Sequence, residues 1–209
     1  MYWFTLVRWK NLLIIFLTQL LAWACVILPL QLHTGQVLLL SPQNFLLLSG
    51  STVLIAAAGY IINDYFDIKI DSINRPDKVI LEKRIPLRMA IIMHTVLNIA
   101  AVLMAALVAL KYSWLAMQLI CTVLLWLYST SFKRRFVTGN VVVALLTALT
   151  IVTLIVYEPA LHPYINRYKF IDTPAGRQPN PVWVLGIYTY FAFMLTWMRE
   201  IVKDMEDYK

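Results

Sequence analysis

The sequence predicts an all-α, polytopic transmembrane helical bundle, on three observations. The chain of 209 residues is 61% hydrophobic and 14% charged, with a mean hydropathy of +0.72, far more apolar than a water-soluble domain. Its apolar residues gather in about six runs, each long enough to cross the roughly 30 Å hydrocarbon core of a bilayer as a helix. Its cations concentrate in alternate loops between those runs.

The first span runs from about Leu12 to Leu32, after a short segment with Trp3, Phe4, Trp9, Arg8 and Lys10. That run is too long for the core of a signal peptide, and Pro29 is tolerated near its end. The second, Pro42 to Ile62, carries Gly50, Ser51, Ala56, Ala57, Ala58 and Gly59, a small-residue face suited to close helix packing. A polar loop over residues 72–88, with Pro76 and Pro86, separates it from the third span, about Met89 to Leu110. Lys111 and Tyr112 turn the chain into the fourth, Ser113 to Tyr128. The cationic Lys133-Arg134-Arg135 loop precedes the fifth, Gly139 to Tyr157. A proline-containing connection over residues 158–180 leads to the sixth, which starts near Pro181 and runs into Arg199 and beyond.

Charge fixes an expected orientation. With the N-terminus in the cytoplasm, 14 of the 18 Lys and Arg residues fall on the cytoplasmic side, as the positive-inside rule requires. The net charge of +7 is then a property of loops at a membrane face. Nucleic acid is excluded as a partner, since no basic run exceeds Lys133-Arg134-Arg135. Cys25 and Cys121 fall inside apolar runs without zinc spacing and read as small buried side chains, not a disulfide.

The chemistry lies at the cytoplasmic ends of two spans. If the second span continues as a helix, Asn63, Asp67 and Asp71 recur every fourth residue and Asp64 is offset by about 100°, so all four share one face. Glu200, Asp204 and Asp207 fall within an arc of about 60° at the end of the sixth. Clustered carboxylates repel unless a cation neutralises them. Oxygen-only donors favour Mg²⁺ over zinc, and Mg²⁺ is characteristically shared between carboxylates and substrate phosphates. Two such faces suit the two sides of one diphosphate, neutralised as a leaving group. Lys133 and Arg134, with Arg75 or Lys78, suit the phosphate oxygens. Tyr128, Tyr65 and Phe66 present ring faces that could stabilise a developing carbocation, although aromatic belts at interfaces also account for such residues. A transporter or channel would hold its carboxylates deeper in the spans; a non-catalytic membrane protein is the other alternative.

Asn63-Asp64-x-x-Asp67-x-x-x-Asp71, Tyr128 with the Lys133-Arg134 loop, and Arg199-Glu200-x-x-x-Asp204-x-x-Asp207 together resemble the UbiA superfamily of intramembrane prenyltransferases. The likeness runs from Arg8 and Asn11 onward. It implies a Mg²⁺-dependent transfer of a prenyl group from a prenyl diphosphate, among membrane lipids, to a lipid or aromatic acceptor. The second acidic stretch is most similar to the branch that uses geranylgeranyl diphosphate and geranylgeranylglyceryl phosphate; aromatic quinone precursors and haem are the alternatives. The resemblance implies Asp64, Asp67, Asp71, Asp204 and Asp207 as catalytic, and Asn63, Asp64, Asp67, Asp71, Glu200, Asp204 and Asp207 as the metal set. It implies substrate contacts at Asn11, Asn63, Arg75, Lys78, Tyr128, Lys133, Arg134, Arg199 and Lys203. A bacterial or archaeal cell membrane, with the site on its cytoplasmic side, is the implied location. The loop after Asp77 departs from the family, reading Lys78-Val79-Ile80-Leu81 where an Arg-Pro-Ile-Pro type of sequence is usual. Nine spans are also usual, so residues 1–209 are expected to form a single domain carrying six of them, incomplete at its C-terminus.

Overall fold

The structure, a computed structural model, describes residues 2–74, 79–167, 169–173 and 176–207, without the side chains of Leu32, His33, Thr34, Asn74, Arg134, Phe136, Thr173 and Asp207. Among the described residues, eight α-helices follow one another: α1 (Tyr2–Leu6), α2 (Trp9–Ala22), α3 (Leu28–Thr34), α4 (Pro42–Asn74), α5 (Leu87–Val108), α6 (Leu115–Thr130), α7 (Phe136–Tyr157) and α8 (Pro181–Asp207). Among the described residues, six stretches are long and apolar enough to cross a membrane, the first of them running through α2 into α3. The chain is an integral, multi-pass, all-α membrane protein, as its composition predicts.

The join between α2 and α3 is a π-helical stretch, Trp23–Ile27. Pro29, just beyond it, has no N–H to give and its ring crowds the carbonyl four residues earlier, so the helix absorbs it by widening one turn. Gly35 then closes α3 in the left-handed region at φ 69°, its N–H returning to the Gln31 carbonyl. On the same side of the bundle the long connection forms a small antiparallel hairpin, β1 (Phe170–Thr173) with β2 (Gly176–Pro179).

Helix α4 is the axis of the fold. It packs on α5, α6 and α2, while α7 packs on α8 and returns to α2 and α6. Midway through the bundle the buried Gln19 joins three helices, donating to Thr52 Oγ1 at 3.2 Å and the Thr150 carbonyl at 2.8 Å, and accepting from Ser49 Oγ at 2.8 Å. Such polar bonds hold helices together where lipid offers no hydrophobic contrast. Gly59 serves the same end by size, since a Cβ there would stand 2.8 Å from the Leu125 side chain of α6.

The larger core gathers at the end where α4 begins, with Trp23 stacked on Phe45 at 4.7 Å beside Leu48, Leu154, Tyr157 and Leu161. There the fully buried Glu158 accepts from the backbone N–H groups of Leu39, Leu40 and Ala160 at 2.8–3.2 Å. At the other end a smaller cluster of Leu6, Ile61, Leu81, Ile85 and Ala90 seats α1 against the end of α4 and the turn before α5. Cys25 and Cys121 are both free thiols. The expected burial fails at Cys25, which is exposed because it continues the outer stripe of Leu17 and Leu21 at i, i+4 spacing.

Candidate active site

Both acidic stretches reach the same depth because both helices start at the opposite surface. Asn63 comes 21 residues after Pro42 and Glu200 comes 19 after Pro181. At about 1.5 Å per residue, each set begins roughly 30 Å along its helix, at the edge of the hydrocarbon core. Helix α4 spans 33 residues and so runs on past Ile62, where hydropathy alone ends the second span.

The acidic arc of α4 is held from two flanks. On one, Lys133 Nζ makes an ion pair with Asp67 Oδ2 and lies 3.4 Å from Asn63 Oδ1. Asn63 Nδ2 donates to the same Asp67 oxygen at 2.9 Å and reaches Asp64 Oδ1 at 3.4 Å. Lys133 is delivered by a 3₁₀ turn, Phe132–Arg134, folded onto the start of α7. A Cβ on Gly139 would stand 3.0 Å from the Phe132 carbonyl oxygen and 3.4 Å from Lys133 Cα, so the turn packs closely over this glycine and would have to give by a few tenths of an ångström for a larger residue.

The other flank is the N-terminal arm. Arg8, between α1 and α2, adopts φ 53° and ψ 55°, a left-handed conformation uncommon for a residue with a side chain. This turn carries its guanidinium to Asp64, Nη2 to Oδ1 at 2.9 Å, and over the Tyr60 ring at 4.9 Å. Asn11 Nδ2 donates to the Tyr60 hydroxyl at 3.2 Å. Asp64 and Asp71 together line a small cavity with Leu6, Ile68 and residues 79–81.

The end of α8 is held more lightly. Asn140, buried on α7, donates from Nδ2 to Asp204 Oδ2 at 2.7 Å. Lys203 Nζ stands 3.8 Å from Glu200 Oε2, a loose pair within one helix turn. Arg199 is exposed on α8. Tyr128 lies near the end of α6, the helix that leads into the Lys133 turn.

The predicted donors lie on two separate helix ends, and among the described residues no group of three or more Asp, Glu, His or Cys side chains gathers at ion-binding distance. Asp64, Asp67, Asp204 and Glu200 each turn to a donor of their own. Asn11 meets Tyr60, one helical turn before Asp64. Tyr65, about 160° round α4 from Asn63 and Asp67, packs with the cluster around Leu6, while Phe66 meets Trp126 edge-on at 5.8 Å. Arg75 and Lys78 lie outside the described residues, as do the side chains of Arg134 and Asp207. Sequence reasoning passed over Tyr60 and Asn140 and used Arg8 only as a landmark. Tyr60 did carry a signal, one helical turn before Asp64 on the same face.

The UbiA prenyltransferase family model matches residues 21–209. The chain belongs to the UbiA prenyltransferase family. Similar UbiA relatives include the digeranylgeranylglyceryl phosphate synthases of Methanothrix thermoacetophila, 33% identical over 81% of this chain and 55% of the relative, and of Saccharolobus solfataricus, 35% identical over 78% and 51%. That of Methanosphaera stadtmanae is 31% identical over 78% and 53%. The chain thus spans about half the length of the curated relatives it matches. A solved structure from work on digeranylgeranylglyceryl phosphate synthase in membranes superposes with a TM-score of 0.67 at 24% identity, over 99% of this chain and 62% of that one. That likeness speaks for the UbiA fold.

Proposed function

We propose that the chain transfers a prenyl group from a prenyl diphosphate, geranylgeranyl diphosphate foremost, to a lipid acceptor of the geranylgeranylglyceryl phosphate type. The observation that carries this reading is the acidic end of α4, where Asp67 is paired with Lys133 and Asp64 with Arg8. Similarity to relatives named digeranylgeranylglyceryl phosphate synthase supports the donor and acceptor class. The bias of Lys and Arg favours a cytoplasmic site in a cell membrane, and residues 1–209 are read as one transmembrane domain.

The donor set fits Mg²⁺ in kind, since Asn63, Asp64, Asp67, Asp71, Glu200, Asp204 and Asp207 offer only oxygen. These residues would hold the metal, and when bound it supplies charge neutralisation to the departing diphosphate. Lys133 is placed to contact the phosphate oxygens from the α7 side and Arg8 from the N-terminal arm, each exchanging part of its present contact with a carboxylate. The allylic C–O bond then breaks, its electron pair leaving with the diphosphate. The acceptor hydroxyl oxygen forms the new bond to the same carbon and gives up its proton to the departing diphosphate. Tyr128 stands beside the place where positive charge develops, with its ring as a stabilising face.

The test is mass-spectrometric detection of product from membranes carrying this chain, supplied with geranylgeranyl diphosphate and a panel of lipid and aromatic acceptors, in Mg²⁺ or EDTA. A prenylated glycerophosphate lipid formed only with Mg²⁺ is expected. An aromatic product would overturn the acceptor assignment, and no product with any acceptor would overturn the transferase assignment.

A further inference from the structure

The two acidic helix ends are held by different chemistry. Asp67 and Asp64 face cations, which neutralise as well as orient them, whereas Asp204 faces a neutral amide. An amide donor fixes one carboxylate oxygen while leaving the full negative charge on the group. The bond is short, 2.7 Å from Nδ2 to Oδ2, and Asn140 is only 8% exposed. Asn140 also follows Gly139, the residue against which the Lys133 turn closes, so its backbone is set by the same packing that delivers Lys133. Among the described residues of its own helix, Val202, Lys203, Met205 and Glu206 around Asp204 are all exposed.

We propose that Asn140 is a positioning residue for Asp204: it fixes the Oδ2 side of the carboxylate, keeps its charge undiminished, and leaves Oδ1 outside that bond for metal or diphosphate. The inference rests on reading Asp204 as part of the diphosphate site. It assigns α7, otherwise a packing helix, a part in registering α8 against the Lys133 turn. Outer hydrogen bonds that orient a metal's carboxylates typically govern affinity by 10–100-fold.

The experiment uses the purified full chain in detergent, with Mn²⁺ as an EPR-visible stand-in for Mg²⁺ and inorganic pyrophosphate present. Asn140→Leu keeps the branched heavy-atom outline of the side chain and removes the donor. Its half-saturating Mn²⁺ should rise roughly 10-fold or more, with the thermal unfolding midpoint little changed, and Asn140→Gln should recover part of the loss. The double variant Asn140→Leu/Asp204→Asn should bind no more weakly than Asp204→Asn alone, because both changes remove one function. Unchanged binding in Asn140→Leu beside weakened binding in Asp204→Asn overturns this inference and leaves the broader reading standing. So does a double variant whose loss is the product of the two single losses. Unchanged binding in Asp204→Asn overturns the broader reading itself. Should Asn140→Leu not yield a folded chain, Asn140→Ser is judged by the same criteria.

Discussion

The carboxylates at the end of α4 and those at the end of α8 sit at the same depth and carry the same kind of charge, yet they are held in unlike ways. Those of α4 stand on the most enclosed helix of the bundle, with Lys133 on one flank and Arg8 on the other. Asp67 is buried and held by both Lys133 and Asn63. Those of α8 stand on a helix backed mainly by α7, with one firm bond at Asp204 and a loose, partly exposed pair at Glu200. A carboxylate set can therefore be made rigid in two ways. Countercharges do it at the cost of partial neutralisation, and a single buried amide does it without.

This contrast can be broken most forcefully at α4. Replacing Asp64 or Asp67 with Ala removes a proposed metal contact worth several kcal/mol, so product formation should fall roughly 100-fold or more. The helical bundle should remain, as judged by detergent-solubilised monodispersity and circular dichroism. Wild-type turnover in both variants would exclude the α4 set from the chemistry. Next in size is Lys133→Met, which leaves Asp67 without its ion partner and the phosphate oxygens without one cation. Initial rates should fall about 10-fold or more, with a raised KM for the prenyl diphosphate.

Gly139→Ala sharpens the comparison through geometry alone. Its new methyl would press on the Phe132 carbonyl, 3.0 Å away, and push the Lys133 turn off its seat. Overpacking of this kind costs about 1–3 kcal/mol, and a severalfold loss of activity should accompany a lowered thermal midpoint. The smallest effect belongs to Lys203→Met. The side chain is 59% exposed and stands 3.8 Å from Glu200, so the change should alter turnover no more than about two- to threefold. A loss as large as that of Lys133→Met would show that the α8 end depends on countercharge after all.

How much of this was legible in the sequence follows the same division. The six spans and their order could be read from hydropathy because length and composition alone decide membrane crossing. The acidic face of α4 could be read from i, i+4 spacing once the helix was assumed to continue. The continuation itself, through Asn74, depends on Leu6, Ile61, Leu81 and Ile85 packing around its end, contacts between segments that no local pattern announces. The widened turn at Trp23–Ile27 traces to Pro29, a residue noticed for its place near the span end without its local consequence. Arg8 reaches Asp64 only through a left-handed turn, and Asn140 reaches Asp204 across 64 positions. A lone polar residue at the start of a span has no periodicity to mark it. Helical spacing fixes which face a carboxylate is on, while its neighbours decide where its oxygens turn, so the ion pairs of Asp64 and Asp67 and the amide bond of Asp204 could not be read from spacing.

The central claim is that the two acidic helix ends serve one diphosphate. The most direct measurement is equilibrium binding of a non-hydrolysable prenyl thiolodiphosphate to the purified chain, with Mg²⁺ or EDTA, in the parent protein and in Asp67→Asn and Asp204→Asn. The account predicts saturable binding that requires Mg²⁺ and is weakened severely by either substitution. Binding that survives one of them intact, or that proceeds equally well in EDTA, would contradict it.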